Sequence, residues 1–108
     1  MILDLTWNQI ECPKVISSVT ERFASENKLN YQFQGADIPH WFLLGKEKRI
    51  QISAGMENAN QYLYLLPSQL PSRQELIDKR KIFSLENLTQ RELEISLHKT
   101  LSEVWNSF

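Results

Sequence analysis

The sequence predicts an α+β domain: an N-terminal helix, a four-stranded antiparallel meander, and two C-terminal helices packed on one face of the sheet. Three observations carry that expectation. An apolar stripe at helical spacing runs from Cys12 to Phe23, four short alternating or two-sided apolar runs lie between Asn30 and Leu66, and a wider stripe runs from Leu93 to Phe108. The length of 108 residues suits one domain, expected to span 1–108. Such a chain buries roughly two-thirds of its extended surface on folding, enough for one core. A composition of 42% hydrophobic and 23% charged residues, with three Gly and four Pro, belongs to neither a disordered nor a collagen-like chain.

Met1 to Leu5 reads as a short strand or a lead-in. Thr6-Trp7-Asn8-Gln9 has the T-x-x-Q form of a capping box, which predicts a helical turn. Pro13 suits the first position of a helix, so the first main helix is placed from Pro13 to about Asn27. Cys12, Val15, Ile16, Val19 and Phe23 share one narrow arc of it.

Four strands are expected at Asn30–Gln34, His40–Leu44, Arg49–Ser53 and Gln61–Leu66. Breaks fall at Gly35-Ala36-Asp37, Gly45-Lys46-Glu47-Lys48 and Gly55 to Asn60. A turn centred on Lys46-Glu47 sets Leu43 opposite Ile50 and Trp41 opposite Ile52. Those four residues then share the face that meets the helices. After Pro71, Ser72-Arg73-Gln74-Glu75 reads as a capping box opening a short helix to about Phe83. Thr89-Gln90-Arg91-Glu92 opens the last helix, where Leu93, Leu97, Leu101, Val104, Trp105 and Phe108 form one stripe.

Charge and targeting narrow the function classes. Twelve basic against thirteen acidic side chains give a net charge of -1, without the cationic excess typical of phosphate-gripping proteins. The N-terminal residues lack a basic region followed by an apolar one, and no apolar run approaches the ~18 residues of a membrane span. One cysteine, Cys12, allows no intrachain disulfide, which suits a reducing, cytoplasmic compartment. Asn87-Leu88-Thr89 matches a glycosylation sequon, without meaning in that compartment.

The register argument also defines a second sheet face. It holds His40, Phe42, Leu44, Arg49, Gln51 and Ser53, joined by Tyr62, Tyr64 and Leu66 if Leu63 and Leu65 point inward, with Gln32 and Gln34 beside them. A sheet face left to water is ordinarily polar. This one carries aromatic area and an arginine, the residue types enriched at protein interfaces. Two expectations stand side by side: the helix at 73–83 covers the face through Leu76, Ile77 and Phe83, or a partner does, whether another protein or a second copy.

Chemistry-bearing residues are sparse. Cys12 lies at a helix N-terminus, where a thiol can be activated, and His40 or His98 could serve it as a base, but Cys12 also falls in the apolar stripe. Cys12, His40, His98 and Asp37 show none of the spacings that gather metal ligands. Gly-rich phosphate loops, nucleophile elbows and paired loop carboxylates are lacking, so no cofactor or metal is expected. Lys79, Arg80 and Lys81, with Arg73 upstream, form the one basic run and a candidate phosphate contact near a helix end. Ile95 is the apolar exception on the outer side of the last helix. Together these features predict a small non-catalytic protein-binding module of the adaptor, chaperone, assembly-factor or inhibitor kind. A nucleic-acid-associated protein is the alternative, and a Cys/His enzyme the third.

Overall fold

In the computed structural model, the described residues are 6–7, 10–35, 39–57, 60–86 and 88–108, and the side chains described begin at Cys12. The chain is α+β. Two helices lie on one face of an antiparallel sheet, and a small two-stranded ladder precedes them.

The first helix, α1, spans Cys12–Glu26 with Pro13 in its first turn. The expected stripe is buried: Cys12, Val15, Ile16, Val19 and Phe23, with Thr20 and Ala24 widening it. Thr20 is tolerated there because its hydroxyl donates to the Ile16 carbonyl at 2.8 Å. The helix stops in a Schellman motif. Lys28 adopts a left-handed φ of 55°, its N–H donates to Ser25, and the Leu29 N–H reaches back to Ala24 at 2.8 Å.

Four strands follow as a meander: β3 (Asn30–Gln34), β4 (His40–Leu44), β5 (Lys48–Glu57) and β6 (Asn60–Gln69). The β4–β5 register is the one the sequence predicts, with Trp41 opposite Ile52 and Leu43 opposite Ile50. Gly45 donates to the Lys48 carbonyl at 2.8 Å, closing a turn on Lys46-Glu47. Trp41, Leu43, Ile50, Ile52, Leu63 and Leu65 are fully buried in one cluster with α1 and the last helix. Trp41 buries its polar atom at no loss, since its indole N–H donates to Ser17 Oγ at 2.8 Å.

The last helix, α2, spans Gln90–Trp105 and opens with the expected box: Thr89 Oγ1 accepts from the Glu92 N–H, and Glu92 accepts from the Thr89 N–H. Leu93, Leu97, Leu101 and Val104 are buried, while Trp105 and Phe108 are partly buried against the same core. Its far end is tied to the β4–β5 turn through Lys48, which donates to the Trp105 carbonyl.

The structure corrects several expectations. The segment 73–83 is no α-helix, so the described residues hold two α-helices, not three. It forms β7 (Gln74–Glu75), a 3₁₀ turn (Ile77–Lys79) and β8 (Lys81–Ser84), and both strands pair with β6. The sheet therefore has six strands, not four. Arg73, the would-be first helical residue after the Ser72 cap, has φ 57° and turns the chain back instead. The free edge of β6 takes up the segment's backbone groups, and Lys81-Ile82-Phe83-Ser84 alternates well enough to pair there.

β6 also runs past its expected end at Leu66. Pro67 is accommodated because its missing N–H faces the segment where the ladder is interrupted. Leu76 still donates to the Pro67 carbonyl at 2.8 Å, and the Leu76 carbonyl accepts from Lys79 in the 3₁₀ turn instead. Gly55 is no break: β5 continues to Glu57 and β6 begins at Asn60. Thr6–Trp7 is β1, paired with β2 (Ile10–Glu11), not a helical turn. The lead-in Met1–Leu5, the Ala36-Asp37 break and Asn87 of the sequon lie outside the described residues.

Candidate functional site

The alternation that buries Trp41 and Leu43 sends their neighbours to the opposite face of the sheet. Cross-strand registers then assemble that face in rows. Gln32, Phe42, Gln51 and Leu66 form one row; Gln34, His40, Ser53, Tyr64 and Ile82 form the next. Leu44, Arg49 and Ser68 flank them on one side, and Gly55, Tyr62 and Ser84 on the other.

The residues expected on this face are brought together there: His40, Phe42, Leu44, Arg49, Gln51, Ser53, Tyr62, Tyr64 and Leu66. Leu66 is buried, the others are half-buried, and Gln32 and Gln34 are exposed. Both helices lie on the other side of the sheet. At one end of the face Leu66 and Ser68 are buried, and the segment 73–83, which forms no helix over the face, extends the sheet beside β6. It adds a member the sequence reasoning missed. Ile82, opposite Tyr64, is 64% exposed on this face. Its signal lay in the alternation of residues 81–84, masked by the helix-like start at Ser72.

Local contacts hold the side chains flat. The Arg49 guanidinium lies 5.7 Å from the Phe42 ring centroid, and His40 stacks on Phe42 at 6.3 Å. Arg49 donates to Gln51 Oε1 at 3.2 Å, and Gln51 donates on to Ser53 Oγ. Tyr62 lies across Gly55: a Cβ there would come within 2.6 Å of the ring. Gly55 thus makes room for a ring that covers it. At the other end, Arg49 Nε and its cross-strand neighbour Ser68 Oγ are buried without a hydrogen-bond partner.

The remaining candidates are scattered. Cys12 is buried at the start of α1, on the helix side of the sheet, and His40 is on the opposite side. His98 pairs with Glu26 at 2.7 Å, at the other end of α1 and about 20 Å of helix away from Cys12. Cys12 therefore meets neither histidine. No group of three or more His, Cys, Asp or Glu able to hold a metal occurs among the described residues, and Asp37 lies outside them. The basic run ends no α-helix: Lys79 closes the 3₁₀ turn and Arg80 follows it. Arg73 is in a turn, Lys79 donates to the Ser107 carbonyl, Arg80 donates to the Ile77 carbonyl at 2.8 Å, and Lys81 is exposed on β8. Ile95 is exposed on α2. No described helix is long and apolar enough to cross a membrane.

The chain matches no protein-family model, no curated protein and no solved structure.

Proposed function

We propose that this chain is a small non-catalytic protein-binding module, working in the cytoplasm, that engages its partner with the open face of its sheet. The observation that carries this reading is the set of half-buried rings, Phe42, Tyr62 and Tyr64, with exposed Ile82, on a face opposite to both helices. Rings pinned by neighbours lose little freedom on binding, so they give contact area at low entropic cost. The Arg49 guanidinium, held over the Phe42 ring, gives the patch a polar end. The face bears one full cation, Arg49, and no described acidic side chain among its central rows. This fits an apolar and amide-rich partner surface better than a phosphate backbone.

The test is a pair of substitutions, Phe42→Asp and Tyr64→Asp, used as bait beside the unaltered chain in a native-lysate capture read by mass spectrometry. Both variants should keep the parent's circular dichroism and cooperative melting and lose the protein that the parent enriches. If both unfold, these rings are core and the reading is wrong. Binding that collapses between low and high salt would instead point to phosphate contact through Arg73, Lys79, Arg80 and Lys81.

A further inference from the structure

The sheet has two outer edges, and they are treated differently. On one side β8 is four residues long, follows a 3₁₀ interruption, and begins with Lys81 directly after Lys79 and Arg80. Short length, irregularity and positive charge are what keep an edge from pairing with another chain. On the other side β3 is Asn-Tyr-Gln-Phe-Gln: five regular residues with no charge, no proline and no bulge.

The outward groups of β3 follow from the ladder. Gly45 donates to Lys48 and Ala54 donates to Pro39, so the odd-numbered residues of β4 point their backbone groups at β5. Its even-numbered residues therefore face β3, where they meet Asn30, Gln32 and Gln34. The N–H and C=O groups of Tyr31 and Phe33 are left pointing away from the sheet, and neither has a hydrogen-bond partner among the described residues. The Phe33 ring is 46% exposed although it tilts against Trp41 at 5.4 Å. It lines a groove of about 690 Å³ with Ser17, Glu21 and Arg22 of α1.

We infer that β3 pairs with β3 of a second copy, antiparallel about a two-fold axis through Gln32. In this register Tyr31 of each copy faces Phe33 of the other, and each pair exchanges both backbone hydrogen bonds. All the outward groups of the strand are satisfied at once. Tyr31 and Phe33 become cross-strand aromatic neighbours on the helix side, covering the exposed ring. On the open side Gln32 meets its own symmetry mate and Asn30 meets Gln34, amides that donate and accept equally well. The match is also electrostatic, because no charge on either strand opposes its copy. A two-fold axis perpendicular to the sheet puts the two open faces on the same side, so the dimer doubles the aromatic surface. The inference concerns the edge and stands whether or not that face binds a partner.

The experiment is sedimentation equilibrium on the full chain over a range of concentrations, with Gln32→Lys, Gln32→Glu and Phe33→Pro. Gln32 is exposed and Phe33 directs its N–H outward, so none of these changes should disturb β3–β4 pairing. The unaltered chain should dimerise. Each Gln32 variant alone should dissociate about tenfold more readily or worse, because like charges then meet on the axis. An equimolar mixture of Gln32→Lys and Gln32→Glu should recover the dimer. Phe33→Pro should be monomeric with an unchanged circular dichroism spectrum; if it unfolds, the Gln32 pair decides alone. A parent chain that stays monomeric at its highest soluble concentration overturns the inference. So does a dimer indifferent to all three variants, a mixture that fails to re-form, or a monomer that takes up an unrelated extended peptide on β3.

Discussion

Lys48 donates to the Trp105 carbonyl at 2.9 Å and sits 5.2 Å from the Trp105 ring centroid, so one lysine of the hairpin caps the C-terminus of α2 and lies over its last aromatic ring. The same ammonium is 5.1 Å from the Phe108 centroid. A cation at a helix C-terminus meets the negative end of the helix dipole, and the rings add cation–π attraction. Lys48→Met keeps the stem and removes the charge. It should cost about 1 kcal/mol in urea unfolding, and the loss should shrink as salt rises. No change in midpoint at any salt concentration would mean that the contact contributes nothing.

Trp41 and Ser17 join β4 to α1 through one hydrogen bond in the core. Ser17→Ala leaves the indole N–H buried and unpaired, for a loss of about 1–3 kcal/mol. In Trp41→Phe the orphaned donor is gone, so adding Ser17→Ala to it should cost far less. A double-mutant cycle measures the difference, and strict additivity would show that water or another acceptor serves Trp41 equally well.

Lys28 ends α1 in the left-handed region, where glycine carries no Cβ penalty. Lys28→Gly should therefore stabilise the chain by about 1 kcal/mol, read as a higher melting temperature. A lower one would mean that the Lys28 side chain contributes more than its backbone costs.

The assignment of 81–84 to a strand predicts an asymmetry between adjacent prolines. Leu85 donates to the Gln61 carbonyl, so Phe83, two residues earlier, points its N–H at β6 while Ile82 points outward. Ile82→Pro should be tolerated within about 1 kcal/mol, whereas Phe83→Pro loses a ladder bond and a core-facing ring, at about 3 kcal/mol or more. Equal, severe losses at both positions are what a helix would give.

Tyr62 and Gly55 are matched across β5 and β6. Because a Cβ at Gly55 meets the far end of a side chain that can swing away, Gly55→Ala should displace the ring without unfolding the sheet. Tyr62 should then become more accessible to nitration. The same substitution made in Tyr62→Ala should raise stability by about 0.5 kcal/mol or more, as glycine in a strand ordinarily costs that much. A Tyr62 ring equally protected in the parent and in Gly55→Ala would contradict the contact.

Much of the fold was legible locally, and the reasons are specific. The α1 stripe and the α2 stripe with its Thr89–Glu92 box are periodic signals that need no tertiary partner to be read. The turn at Lys46-Glu47 transmits register, so opposing Leu43 to Ile50 followed from counting. The candidate face came with it, because parity in a strand places every second residue. Between Pro71 and Ser84 the local signals conflicted. A capping-box pattern at Ser72 competed with a short alternation at 81–84.

The sequence by itself determined two amphipathic helices, the alternating strands and the sorting of residues onto two faces, since these depend on spacing along the chain. Only the tertiary structure decided what became of 73–84, because the unpaired edge of β6 offered backbone hydrogen bonds that an isolated segment does not have. That choice put the segment beside the sheet rather than over it. It left Phe42, Tyr62 and Tyr64 half-buried and added Ile82 to them. Whether a surface is covered depends on where distant parts of the chain come to rest, and no local pattern encodes that.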